Sequence, residues 1–353
     1  MFMKNGKFQL AIVGFGGMGN WHRELIESGI EGLELAGTFD IKESQQELSR
    51  SLGYRAYESL EALLADDSID IVLIATPNDF HRPIAVQALR AGKNVVSEKP
   101  VTLSCADLQQ MIDAANENGK IFTVHQNRRW DEDYLTMKKI YDEGMLGEVF
   151  NIESRVHGSR GIPGDWRGIK EKGGGMILDW GVHIIDQMLQ MVREKVTSLY
   201  CQIYHVTNYE VDDGFTLTLT FESGKRALLE VGTSNFIELP RWYMNGENGS
   251  AQIDDFYHHG RVVRITDWDK NDAVPVKTAA GLTKTMAPRT DETIKTEELD
   301  WVKSDIKDFY RNVMAAIEGK EPQKITHPEL MRVMRLMELA FESAEKNQVL
   351  SFE

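Results

Sequence analysis

Apolar positions in the first third of the chain fall into short, nearly unbroken runs: QLAIVGF, ELAGTFD, IDIVLIAT, NVVSEKP and KIFTVHQ. Runs with little polar alternation suit strands buried on both faces of a parallel sheet. Between them, apolar residues recur at helical spacing. This predicts helices from about Trp21 to Ser28 and through QQELSRSL, LEALLADD, HRPIAVQALRAG and LQQMIDAANENG, with RAYES a short extra run. Pro77 and Pro100 end two of the strands, and Gly92 is placed to end a helix. Strand and helix alternating at this length predict a doubly wound parallel sheet with right-handed crossovers over residues 1–126.

After residue 127 the rhythm changes. VFNIESRVHG, TSLYCQIYHV, DGFTLTLTF, KRALLEVGTS and GSAQID read as strands, several alternating apolar and polar with period two. Glu222-Ser223-Gly224-Lys225 joins two of them as a hairpin. Strands in succession without helices between them predict a largely antiparallel sheet. Two helices follow, SDIKDFYRNVMAAIEG and PELMRVMRLMELAFESAEKN, whose Met and Leu stripes belong to a core. Residues 267–300, rich in Lys, Thr and Asp, read as an extended loop. The expectation is an α/β protein with a second, α+β domain over residues 127–353.

Composition narrows the possible partners. The chain has 353 residues, enough for two domains, and a formal net charge of −15. Such an acidic protein repels phosphate backbones, so nucleic acid and anionic membrane are not expected partners. Cys105 and Cys201 lie far apart and suggest neither a disulfide framework nor a metal site. A reducing, cytoplasmic setting fits that usage. No signal peptide, membrane span or repeat is read from the chain.

Three stretches carry candidate chemistry. The first is Gly14-Phe15-Gly16-Gly17-Met18-Gly19, which follows a predicted strand and opens a predicted helix. Gly14 permits the tight turn, Gly16 lets the backbone approach a pyrophosphate, and Gly19 lets helix and strand pack closely. The helix N-terminus offers free N–H groups to phosphate. Asp40, followed by Ile41, ends the second strand about 20 residues further on, where an acid binds the ribose 2′-hydroxyl of NAD and repels the 2′-phosphate of NADP. Lys42 nearby softens that preference. The second stretch is SEKP, which puts Lys99 at the C-terminal end of a parallel strand, where such sheets place ligands. The third is GGGMILDWGVHIIDQML. On a helix its Asp179, His183 and Asp186, spaced four and three apart, share one face. His183 can take and return a proton, and Asp179 can orient its ring. A single histidine there gives no metal site. Arg128, Arg129, Arg155, Arg160 and Arg167 hint at an anionic group, on the substrate or the pyrophosphate.

Together these residues resemble the glucose–fructose oxidoreductase/inositol dehydrogenase family, Gfo/Idh/MocA. The resemblance rests on G-x-G-x-x-G, ATPNDFH (75–81), EKP (98–100) and GGGMILDWGVHIID (173–186) in this order, and on the ending AIEGKEP…SAEKNQVLSF. HQNRRWD (125–131) is most similar to the scyllo-inositol dehydrogenase branch and its sugar-oxidising neighbours. The resemblance implies a Rossmann domain, then a domain on an open, mostly antiparallel sheet that mediates homodimers or homotetramers. It implies that Lys99 contacts substrate and nicotinamide, and that Glu98 lies near the nicotinamide ribose. Ala75, Thr76, Pro77, Asn78 and His81 then line the cofactor, and Trp166 and Arg167 approach it. Asn127 lies on the cofactor side of the pocket, Arg128 or Arg129 on the substrate side. Asp179 and His183 are the acid and the proton-transferring histidine. The implied activity is hydride transfer between NAD and a secondary alcohol of a cyclitol, sugar or sugar derivative. Alternatives are glycoside cleavage through transient NAD redox chemistry, carbonyl or imine reduction, and an NAD-binding sensor without turnover.

Overall fold

Residues 6–352 are described by the structure, a computed structural model. Strands β1 (Phe8–Val13), β2 (Leu33–Phe39), β3 (Arg55–Ala56), β4 (Ile71–Ile74), β5 (Asn94–Ser97) and β6 (Phe122–Val124) form one sheet in the order β3-β2-β1-β4-β5-β6. All its pairings are parallel. Helices α1 (Gly17–Glu27), α2 (Glu43–Ser51), α3 (Leu60–Leu64), α4 (His81–Arg90) and α5 (Cys105–Asn118) make the crossovers. Every residue of β1, β4, β5 and β6 is buried, which explains the unbroken apolar runs. The strand order reverses between β1 and β4, and a crevice opens there at the C-terminal strand ends.

Helix α6 (Glu132–Asp142) leads into the second sheet. Its strands are β7 (Val149–His157), β8 (Val196–Tyr204), β9 (Gly214–Phe221), β10 (Arg226–Gly232), β11 (Trp242–Gly246), β12 (Gly249–Ile253), β13 (Gly260–Ile265), β16 (Ile294–Glu298) and β17 (Leu350–Ser351). They run in the order β16-β13-β12-β11-β7-β10-β9-β8-β17. β7 and β10 pair in parallel, and the other pairings are antiparallel. Burial alternates along β9, so one face is covered and the other is partly open. The covered face carries α7 (Val182–Met191) and α9 (His327–Lys346), whose Leu and Met residues are core, as the spacing predicts. Helix α8 (Lys307–Ile317) turns back onto the first sheet's side, where Lys307 Nζ donates to Ser28 O at 2.9 Å.

Two expectations are corrected. Residues 267–300 are not one extended loop: they hold a small hairpin, β14 (Val276–Thr278) with β15 (Gly281–Thr283), and then the edge strand β16. β16 reads IKTEE and has no apolar run; its pairing with β13 makes it a strand. Helix α1 starts at Gly17, inside the glycine run and ahead of its first apolar stripe. α6 carries its buried Tyr134, Met137 and Ile140 at three-residue spacing, a signal the reading above does not use. No helix among the described residues is long and apolar enough to cross a membrane. Cys105 and Cys201 are free.

Candidate active site

At one end of the crevice the glycine loop is built as its spacing predicts. Gly14 has φ of +92°, and a Cβ there would lie 2.6 Å from the carbonyl oxygen of Ala75. Neither Gly16 nor Gly17 has anything within 4 Å of a Cβ position. Helix α1 has no side-chain N-cap, so its first N–H groups remain available. Asp40 braces the loop: Phe15 N donates to Oδ2 at 2.8 Å and Lys42 N to Oδ1 at 2.9 Å. The Phe15 ring is buried, whereas Met18 and Ile41 are exposed.

The loop after β4 faces the glycines. Asn78 Nδ2 donates to Gly173 O at 2.9 Å and ties this loop to the second domain. His81 is fully buried, its Nδ1 2.9 Å from Pro100 O and its Nε2 2.9 Å from Thr76 O. It therefore joins two loops from behind. Glu98 also points inward. Its Oε1 takes hydrogen bonds from His22 Nε2 and His125 Nδ1, each at 2.8 Å, and its Oε2 from Lys99 N at 3.1 Å.

Lys99 reaches the other way. Its Nζ donates to Asp179 Oδ1 at 2.9 Å and to Asp179 O at 3.0 Å. Arg167 Nε donates to Asp179 Oδ2 at 3.1 Å, and the Arg167 guanidinium lies 4.6 Å from the Trp166 ring centre. Burial works against ionising Asp179, but Lys99 and Arg167 outweigh it and hold the carboxyl below its usual range. His183 is 4% exposed. Burial pushes its imidazole well below 6.5, and Lys99 and Arg128 push the same way, so it is neutral near pH 7.

The backbone that presents these groups differs from the expected continuous helix. Ile177–Gly181 is a π-helical turn, and α7 begins only at Val182. Gly175 precedes it with φ of +106°, and a Cβ there would overlap Asp212, whose Oδ2 accepts from Ile177 N at 2.7 Å. Asp179 lies in the wider π turn, out of α-helical register with His183 and Asp186, which both lie on α7. Asp186 instead takes Arg129 Nη2 at 2.6 Å and Nε at 2.8 Å. No hydrogen bond joins Asp179 to His183; Asp179 is held by Lys99 and Arg167 and does not orient the ring.

Sequence reading named Arg128 but missed its partners on the far wall. The Arg128 guanidinium lies 4.8 Å from the Trp180 ring centre, and Trp180 meets His183 edge-on at 5.7 Å. Arg128 also pairs with Asp131 at 3.4 Å. Burial pushes the Asp131 carboxyl up to about 6, Arg128 opposing and Asp133 adding to the shift. Arg241, 3% exposed, pairs with Asp133 at 3.2 Å and donates to Gln187 Oε1 at 3.0 Å. Gln187 in turn donates to Arg128 O at 2.7 Å. No motif quoted above includes Arg241, so only the fold brings it here. Arg129 and Arg155 are held in ion pairs with Asp186, Glu329, Glu153 and Glu230, which removes them from the expected anion site.

Comparison with known proteins places the chain in a family. Residues 8–126 match the description "Oxidoreductase family, NAD-binding Rossmann fold" and residues 134–252 match "GFO/IDH/MocA C-terminal domain". The chain belongs to the Gfo/Idh/MocA family. The crystal structure of an NAD-binding protein from Listeria innocua superposes with a TM-score of 0.95 at 46% identity, covering 98% of this chain and 99% of that one. The scyllo-inositol 2-dehydrogenase (NADP(+)) of Bacillus subtilis is 29% identical over 307 residues, 83% of this chain and 82% of that protein. An uncharacterized oxidoreductase of Schizosaccharomyces pombe is 33% identical over 204 residues, a match spanning about half of that protein, 55%. The family's dinucleotide fits the crevice. The glycine loop is open, and Thr76 Oγ1, Gln126 Oε1 and Asn127 Oδ1 are buried with no hydrogen-bond partner among the described residues. Orphaned polar atoms along this crevice are what a ligand would satisfy.

Proposed function

We propose that this Gfo/Idh/MocA protein is an NAD-dependent dehydrogenase acting on a secondary alcohol of a neutral cyclitol or sugar. The observation that carries the reading is a buried His183, its imidazole pushed below the usual range by burial and by the Lys99 charge, with that Lys99 clamped by Asp179. Gly14, Phe15, Gly16, Gly17, Met18 and Gly19 would hold the pyrophosphate, and Asp40 and Ile41 the adenosine ribose. Ala75, Thr76, Pro77, Asn78, Asn127, Trp166 and Arg167 would line the nicotinamide half, with His81 and Glu98 supporting it from behind. Bound there, NAD would supply the hydride-accepting chemistry for oxidation of the carbinol carbon. His183 takes the hydroxyl proton as general base. Lys99 donates a hydrogen bond to the same oxygen and stabilises its developing negative charge. Asp179 keeps that ammonium aimed, and Arg167 keeps Asp179 in place.

Charge argues for a neutral substrate. Lys99, Arg128, Arg167 and Arg241 are matched by Asp131, Asp133, Asp165 and Asp179 in ion pairs. Paired donors and acceptors suit neighbouring hydroxyls, and an excess cation for a carboxylate is missing from these pairs. Asp40 favours NAD, whereas the Bacillus subtilis relative is named for NADP, so both cofactors belong in the test. Self-association through the nine-stranded sheet would give a mass of two or four 40.1 kDa chains by light scattering.

The test is the absorbance of reduced nicotinamide, with NAD and NADP separately, against inositols, aldoses and sugar acids. Growth with NAD and a neutral polyol is expected. His183→Ala should lower kcat by about 10²- to 10⁴-fold and leave the NAD Kd unchanged. A His183→Ala enzyme with near-normal kcat would remove His183 from the chemistry.

A further inference from the structure

Behind the site lies a buried chain of polar groups that proton and hydride transfer do not use. Tyr310 Oη on α8 lies 2.7 Å from His22 Nδ1 on α1. His22 Nε2 and His125 Nδ1, the latter just past β6, both reach Glu98 Oε1 at 2.8 Å. The four side chains are 0–5% exposed, and the aromatic rings pack edge to face around them. Tautomers follow from the partners: His22 donates through Nε2 and accepts the Tyr310 hydroxyl at Nδ1, and His125 donates through Nδ1. Burial by itself would raise the Glu98 carboxyl; His125 and His22 reverse that and hold it well below the usual carboxylate range.

A metal ion is a poor occupant for this cluster. Tetrahedral ligands at about 2.1 Å from zinc stand roughly 3.4 Å apart, and the two His–Glu contacts here are hydrogen-bond length. The second Glu98 oxygen shows what the chain does instead. Oε2 accepts the backbone N–H of Lys99, so the anchored carboxylate sets the backbone from which the lysine side chain departs toward Asp179.

We infer that His22, His125 and Tyr310 are positioning residues that act through Glu98 to aim the Lys99 ammonium at the reacting oxygen. Three elements distant in sequence thus converge on one turn. The inference concerns the dehydrogenase site proposed above, but its first readout needs no substrate.

Reductive [¹³C]methylation of the protein gives lysine signals, and the one lost in Lys99→Arg is that of Lys99. His125→Leu and His22→Leu remove the donors to Glu98. His125→Asn and His22→Gln return an N–H at nearly the same place. The Leu variants should shift or broaden the Lys99 signal, and Asn and Gln should restore it. With an accepted substrate, the Leu variants should lose about tenfold or more in kcat with little change in KM, again recovered by Asn and Gln. If a Leu variant fails to fold, Tyr310→Phe, which removes one hydroxyl, should move the Lys99 signal the same way by less. An unmoved Lys99 signal in folded variants would overturn the inference. So would a kcat loss that Asn and Gln do not recover, or stoichiometric zinc in the wild type that the Leu variants lack. Failure of the function proposal alone would appear as no turnover on any substrate while the Lys99 signal still responds.

Discussion

His183 shows how position rewrites a residue's chemistry. In water its imidazole would be half protonated near pH 6.5; here burial, then Lys99 and Arg128, keep it unprotonated. The base form therefore persists well below 6.5. For alcohol oxidation, kcat/KM should stay level as pH falls through 6.5, with its acid limb lower; a limb centred at 6.5 would point to a different base. Asp40 carries a second prediction. Its two oxygens accept from Phe15 N and Lys42 N and so brace the glycine loop. Asp40→Asn should raise KM for NAD by about tenfold while narrowing the gap to NADP, measured by initial rates with each cofactor. Lys99, Asp179 and His183 were legible because short motifs carry them. Trp180 and Asp131 sit inside the quoted motifs, but their contacts with Arg128 are not encoded by local spacing, and Arg241 lies far from both in the chain.

Elements decide which polar groups serve chemistry and which serve the scaffold. The π turn before α7 carries Asp179, which pairs with Lys99, while Asp186 on α7 pairs with Arg129. Spacing alone predicted one shared face for Asp179, His183 and Asp186, and the π turn takes Asp179 out of that register. Arg129 bridges the short turn Asn127–Trp130 to α7 and α9 through Asp186 and Glu329. Arg129→Leu strands a buried carboxylate and should destabilise the fold by about 3–5 kcal/mol in urea unfolding. The substrate KM of the folded fraction should change little, since Arg129 does not enter the pocket. A large KM effect without loss of stability would move Arg129 into the site.

At the scale of the whole molecule, several histidines are buried in the unprotonated state. Burial pulls His22 down to about 4, His125 adding to the shift and Glu98 opposing it; His81 and His183 are also lowered, chiefly by burial. The unfolded chain binds these protons near pH 6.5 and the folded protein does not. Stability is therefore full above 6.5 and falls as pH drops below it, down to the folded values. The melting temperature should decline between pH 7 and 5, and His22→Gln should flatten part of that decline. A melting temperature level over this interval would contradict neutral burial. α8 matters here, because it returns from the second half of the chain to seal His22 through Tyr310.

The amino-acid sequence by itself determined the alternation of strands and helices in the first half, the change of rhythm near residue 127, the glycine loop with its acid, and the lysine and histidine motifs. These are encoded by neighbours along the chain, through periodicity and through spacings that one turn or one helix can satisfy. Only the tertiary structure decided that β16 is a strand, that Asp186 belongs to Arg129, and that Glu98 points inward to two histidines. It also decided that Arg128, Asp131 and Arg241 build one wall. Each of these rests on burial and pairing between segments remote in sequence, and such contacts exist only once the two sheets and their helices have packed.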